Sequence, residues 1–324
     1  MRGAVLRRGV VVAVIAVLVA ACGGGKSNNS GGSSGGLTNL TVGLVPVVDI
    51  APVYVGLKHG FFKDEGLNVT PKLIQTGAVV VSGAVSGDIQ IGFSNDTSIV
   101  TAASKGIPLQ IIAAGVNAGK GDYAGLLVRD DGSIKTPKDL EGKTIAVNGR
   151  NNVGSLTVNA ALETFGVNWN KITYTEVPFP NMGTALTRKQ IDAAWVVEPF
   201  VSANKAANNG TKLLVQTYMK LPQHFPVASY FVTQSYRSQH ADTVAKFQRA
   251  INKALVYTQA HPDEVRQLVP TWTQIKPDAA AKLVLPEWST DPQAALVKWT
   301  ADHALKYGYI TSEPDISKLV VTNS

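Results

Sequence analysis

Residues 189–199 read KQIDAAWVVEP, and what this run becomes decides the fold. Its apolar centre reads as a buried strand that stops abruptly at Glu198 and Pro199, after which a small-residue stretch of helical character begins. The pattern occurs a second time. Residues 86–96, SGDIQIGFSND, also set an aspartate ahead of an apolar strand, and placing Asp88 on Asp192 puts Ser94 on Glu198. The same strand end is therefore expected in two halves of the chain.

Outward from these two runs, strand-like and helix-like segments alternate. In the first series LTVGLVP (40–46), NVTPKLIQT (68–76), IQIGFS (89–94) and LQIIAAG (109–115) read as strands, with helices near Ala51 to His59, from Ala78 and from Thr97. In the second, Thr136 and Asp139 form a capping-box pattern with Pro137 at the first helical position. KTIAVNG, KITYTEV, IDAAWVV and TKLLVQT then read as strands, with helices at Gly154 to Phe165, near Gly183 to Arg188 and from Pro199. Such alternation predicts crossover units on largely parallel sheets, an α/β fold. AGLLVRD (124–130) and PVASYFVTQ (226–234) are extended apolar segments suited to carry the chain between two lobes and back. Val244, Phe247, Ile251 and Leu255 repeat at helical spacing, and residues 294–308 read as a helix stopped by Gly308. The expected layout is a first lobe from 38–125 and 228–324 and a second from 126–227.

The N-terminal residues predict export. Arg2, Arg7 and Arg8 precede an apolar core, Val10 to Ala21, of signal-peptide length. Val19-Ala20-Ala21-Cys22 resembles a lipoprotein cleavage site, so 1–21 is expected to be removed and Cys22, the one cysteine of the sequence, to be lipidated. Residues 22–37, nearly all Gly, Ser and Asn after the cysteine, read as a tether with an r.m.s. reach of about 20 Å. Loss of the three leader arginines lowers the formal net charge from +7 to +4. No Lys/Arg cluster suited to a phosphate backbone stands out, which argues against nucleic acid as a partner.

The segment APVYVGLKHGFFKDEGLNV (51–69) resembles the start of the nitrate, sulfonate and taurine family of periplasmic-type substrate-binding proteins, which also includes binders of thiamine pyrimidine precursors. Its features are Ala51-Pro52, Tyr54, Gly60-Phe61-Phe62, the acidic stretch at Asp64-Glu65, and Gly66-Leu67. Residues 86–113, TPKDLEGKTIAV, VGSLTVNAALETFG and IDAAWVVEP are similar to the family in its own order across most of Leu40 to Phe200. The resemblance implies a type II periplasmic-binding-protein fold: two α/β lobes joined by two crossover segments and closing on a ligand. It also implies a monomer that delivers a small solute to an ABC permease driven by a cytoplasmic ATPase, at the outer face of the cytoplasmic membrane, with no cofactor.

Ligands of open parallel sheets sit beyond the C-terminal strand ends, where loops enter helix N-termini. In the first lobe those places are the loop at Asp49, the turn at Thr76 and the turn Ser94-Asn95-Asp96 before Thr97; in the second they are Asn148 to Ser155, including Asn152 and Gly154, and Glu198-Pro199. Free N–H groups with neighbouring hydroxyls favour anions, which points to Ser94 with Thr97 and Gly154 with Ser155, joined by Arg150 if it turns inward. The same residue types also serve as plain helix caps. Since the family carries an acid before Pro at this strand end, the resemblance makes Glu198 an acceptor for a ligand donor; an acid at a helix start is also stabilised by the helix alone. Asp49 is a second acceptor, while Tyr54 and Tyr123 are candidates for stacking, and Trp195 and Phe93 for the core. The ligand expected is two-ended, such as taurine or an aliphatic sulfonate, with an aminopyrimidine as the alternative and a non-transport sensor lipoprotein as a further one. Catalysis is not expected: the five histidines are scattered and no Gly-x-Ser-x-Gly, Walker loop or metal-ligand spacing stands out.

Overall fold

Parallel strands need a crossover between them, and the chain supplies one after nearly every strand. The computed structural model describes residues 36–119, 121 and 123–321. The leader, Cys22 and the tether up to residue 35 lie outside the described residues.

The first series runs β1 (Thr38–Leu44), α1 (Ala51–Lys58), β2 (Leu67–Leu73), α2 (Gly77–Ser86), β3 (Ile91–Asn95), α3 (Asp96–Ser104) and β4 (Leu109–Asn117). The second runs β5 (Ala124–Arg129), β6 (Thr144–Val147), α4 (Val153–Glu163), β7 (Thr173–Glu176), α5 (Phe179–Thr187), β8 (Ala193–Val197), α6 (Phe200–Ala207) and β9 (Thr211–Val215). The chain then returns through β10 (Pro226–Thr233) to α7 (Ala241–Ala260), β11 (Glu287–Trp288) and α8 (Ala294–Lys306). One sheet has the order β11-β4-β10-β3-β1-β2 and the other β7-β6-β8-β5-β9.

The two return segments do more than connect. β10 is inserted antiparallel between β3 and β4, and β5 antiparallel between β8 and β9, so each sheet is mixed. Residues of β5 and β10 are buried almost throughout, which an interior strand requires whichever way it runs. The helical stripe also packs inward: Val244, Phe247, Ile251 and Leu255 are at most 1% exposed. Helix α5 starts at Phe179, earlier than the expected Gly183, because Pro180 sits in its first turn, where a missing N–H costs nothing.

Register corrects the alignment of the two strand ends. The Thr41 N–H donates to Gln90 Oε1 at 2.9 Å and the Gln90 N–H to Thr41 O at 3.1 Å. Thr144 and Asp192 make the same exchange, with 2.9 Å in each direction. Gln90, not Asp88, is therefore the counterpart of Asp192. The same offset makes Asp96, not Ser94, the counterpart of Glu198.

Candidate functional site

Helix starts from both sheets meet around one cavity. Gly77 opens α2, Asn95 caps α3, and Val153 and Phe179 begin α4 and α5; all four line it. The cavity proper is about 50 Å³, room for a few waters, within about 440 Å³ of atom-free space that includes its mouth. Its walls are mostly apolar: Phe93, Trp195 and valines such as Val45, Val47 and Val227. Its polar side chains are Asp49, Ser94, Asn95 and Asn148, with the phenol of Tyr218. No lysine or arginine is among these lining residues.

Close approach at two of the helix starts depends on glycine. A Cβ on Gly77 would stand 2.3 Å from Asn95 Nδ2 and 2.4 Å from Ser94 Oγ, and one on Gly154 would stand 2.6 Å from the Trp195 ring. Gly154 thus lets the indole lie across the start of α4, while Trp195 Nε1 donates to Thr217 Oγ1 at 3.2 Å. The cap of α4 is built from Asn152, whose N–H donates to Ser155 Oγ at 3.2 Å. The Ser155 hydroxyl donates back to Asn152 O at 3.1 Å.

Asp49 is held from several sides. The Tyr123 hydroxyl donates to Asp49 Oδ1, and Trp288 Nε1 donates to Asp49 O at 3.2 Å. Trp272 Nε1 donates to Val47 O at 3.0 Å, so two indoles from the C-terminal strap, residues 269–288, fix the loop that brings Val47 and Asp49 to the cavity. Burial pushes the Asp49 carboxyl up to about 6, with the Tyr123 hydroxyl and its own backbone N–H opposing the rise. The Tyr123 phenol is raised well above its ordinary value, first by burial and then by the Asp49 charge.

The other expected site residues divide. Asp49, Ser94 and Asn95 line the cavity beside Gly77, and Thr76 caps α2 by accepting from the Val79 N–H at 3.4 Å. Asn95 also caps α3 through Ser98 N–H at 2.9 Å. Asp96 and Thr97 are buried but are not among the lining residues. Asn152, Gly154 and Ser155 build the start of α4 behind Val153, and Arg150 is exposed, not turned inward. Tyr54 stacks on Trp272 with centroids 4.4 Å apart, so its ring faces the strap. Tyr123 orients Asp49 through its hydroxyl. Phe93 and Trp195, expected in the core, are buried and line the cavity as well. Asn148 opens the stretch expected at the second lobe's strand end, while Tyr218 begins a short 3-10 turn, Tyr218–Lys220, that no sequence pattern marks.

Glu198 does not line the cavity. It is 0% exposed, and its Oε2 accepts from Ser202 N–H at 2.9 Å. Its Oε1 accepts from Ser202 Oγ at 2.7 Å and from Val284 N–H at 3.2 Å. The acid therefore caps the helix that follows it and ties that helix to the strap. Burial pushes its carboxyl up to about 7, against the pull of the Ser202 backbone and side chain and the Val284 N–H. Its backbone joins the lobes as well: Val48 N–H donates to Glu198 O at 3.1 Å.

A model described as NMT1/THI5 like matches residues 47–265. The taurine-binding periplasmic protein of Escherichia coli K12 is 26% identical over 204 residues, 63% of this chain and 61% of that protein, so the chain spans about three fifths of that relative. Among solved structures, the periplasmic aliphatic sulphonate binding protein SsuA of Escherichia coli superposes with a TM-score of 0.72 at 18% identity, covering 88% of this chain and 92% of that one. The periplasmic nitrate-binding protein NrtA of Synechocystis PCC 6803 does so with a TM-score of 0.75 at 14% identity, covering 88% and 86%. The fold is that of the type II periplasmic binding proteins, with two α/β lobes and the cavity between them.

Proposed function

Because the chain belongs to the NMT1/THI5-like family, we propose that it is the extracytoplasmic solute-binding component of an ABC importer. In this reading it captures a small organic anion, such as an aliphatic sulfonate or taurine, between its lobes and passes it to the permease, held near the membrane through a lipid on Cys22. The observation that carries the reading is the convergence of four helix starts from two sheets on one small apolar cavity. Backbone N–H groups at helix starts hold an acid group without a charged side chain, and the apolar walls suit a short alkyl chain. The names of the relatives agree, since the taurine- and sulphonate-binding proteins are described as periplasmic binders. A second reading, an aminopyrimidine, draws on Phe93, Trp195 and Tyr218 beside an acceptor at Asp49.

The test is thermal unfolding of the purified protein with taurine, short alkanesulfonates, nitrate and an aminopyrimidine. A ligand at a hundred times its Kd adds about 2.7 kcal/mol, a rise of several degrees in Tm. A shift with a sulfonate is the expected result. A shift with the aminopyrimidine alone replaces the first reading with the second, and no shift with any of them overturns both.

A further inference from the structure

The cavity proper, about 50 Å³, admits a few waters, and beside it the two lobes nearly touch. A Cβ on Gly149 of the second lobe would stand 3.8 Å from Thr76 Cγ2 of the first. A solute comes and goes only if the lobes part, so the contacts that parting breaks govern how readily they do. Two of those contacts meet at Glu198. Its carbonyl takes the Val48 N–H at 3.1 Å and its Oε1 takes the Val284 N–H at 3.2 Å, so the backbone and the side chain of one sealed residue both hold groups from outside the second lobe.

Val284 belongs to the strap, residues 269–288, whose short helix Pro277–Ala280 also packs against α6, the helix that Glu198 caps. The rest of the strap is fastened to the first lobe. Trp272 and Trp288 donate their indole N–H groups to Val47 O and Asp49 O, the Trp288 backbone N–H donates to Gln259 Oε1 at 2.8 Å, and β11 pairs with β4. It leans on both places where the chain passes between the lobes. Between β4 and β5, a Cβ on Gly119 would stand 2.8 Å from Leu285 O and 2.9 Å from Pro286 Cα; between β9 and β10, His224 Nδ1 lies 2.8 Å from Glu287 Oε2. One segment thus touches both lobes and both connections between them.

From this arrangement, and resting on the proposed solute-binding role, we infer that the strap is a third tie between the lobes, a lock outside the cavity: the cleft opens only as Val284 and residues 277–280 come away from Glu198 and α6. Glu198 is the catch. Releasing it separates a buried acceptor from its donor, which holds the lobes together in the absence of solute. Residues that never touch the solute then govern its entry and escape.

The experiment is small-angle X-ray scattering of the purified protein without solute, beside Glu198→Ala, Gly119→Ala and a closed reference in which Thr76→Cys and Gly149→Cys are joined by a disulfide across the two lobes. The unaltered protein is expected to match the bridged reference in radius of gyration. Glu198→Ala, which removes the catch, and Gly119→Ala, which presses the strap away from the first connection, should each shift to a larger radius with unchanged far-UV circular dichroism. Adding the bridge to either variant should bring the radius back. Gly119→Ala keeps the test open should Glu198→Ala fail to fold. An unaltered protein already wider than the bridged one overturns the inference, since the lock then fails to hold. No widening in either variant also overturns it. A widening that the bridge does not reverse means that the strap has come loose over closed lobes, and overturns it as well. None of these results involves a solute, so each leaves the solute-binding role to be judged by its own thermal test.

Discussion

Asp96 directly follows β3 in the first lobe, and Glu198 directly follows β8 in the second. The two are equivalent by register, each is at most 1% exposed, and burial pushes each carboxyl up to about 7. Glu198 nevertheless accepts three hydrogen bonds, two from Ser202 and one from Val284. Neither oxygen of Asp96 has a hydrogen-bond partner among the described residues, with the Ser229 hydroxyl alone easing its burial. The difference lies in local sequence. Four residues beyond Glu198 stands a serine, and four beyond Asp96 stands Val100. In the first lobe the cap has moved one residue back to Asn95, which takes the Ser98 N–H. Equivalent position in a repeated topology does not carry equivalent chemistry with it.

Five substitutions bear on this contrast. Glu198→Ala should have the largest effect, a loss of about 3 kcal/mol in urea unfolding, because three donors lose their acceptor in a sealed space. Glu198→Gln should lose less, as its amide oxygen still accepts. A loss under about 0.5 kcal/mol for the alanine variant would erase the distinction between the two acids.

Next come the glycines at the two helix starts. Gly154→Ala meets an indole that is 1% exposed and should cost about 2 kcal/mol by overpacking. Gly77→Ala meets the ends of Ser94 and Asn95, which turn aside more readily, and should cost less in the same urea unfolding. The reverse order would mean that the first lobe is the more tightly built.

Asp96→Asn should change stability least and in the opposite direction. A buried acid raised to about 7 contributes stability that is full below its unfolded value of 3.8 and is lost as pH rises through 7. The variant, having no such charge, should gain stability relative to the parent as pH rises from 5 to 8. A gap independent of pH would show that the charge of Asp96 is not what sets its cost.

Much of the fold was legible because hydrophobic periodicity and cap chemistry are local. The alternation of strands and helices, the Thr136–Asp139 capping box and the stripe from Val244 to Leu255 all reappear in the structure. The insertion of β5 and β10 was not legible, since a strand buried on both faces has the same composition whichever way it runs. Of the cavity lining, Asp49, Ser94 and Asn95 stand where loops after strands are expected to gather polar side chains. Glu198 was drawn toward the ligand by the same logic, and only the position of Ser202 and the distant Val284 reveals its other partners. Tyr218 and the two indoles that hold the Asp49 loop reach it from far along the chain, so no local pattern announces them.

The placement of β10 has a consequence for the order of folding. Every strand of the second sheet lies within residues 124–215, an unbroken stretch that can close on itself. The first sheet has a gap between β3 and β4 until residues 226–233 arrive to fill it, and the loop bearing Asp49 is not pinned until Trp272 and Trp288 follow. Contacts of such long sequence separation form slowly, so the second lobe is the natural nucleus and the first is finished around it. The half of the cavity encoded earliest is thus the last to take shape, and its walls are complete only when the chain's final third is in place.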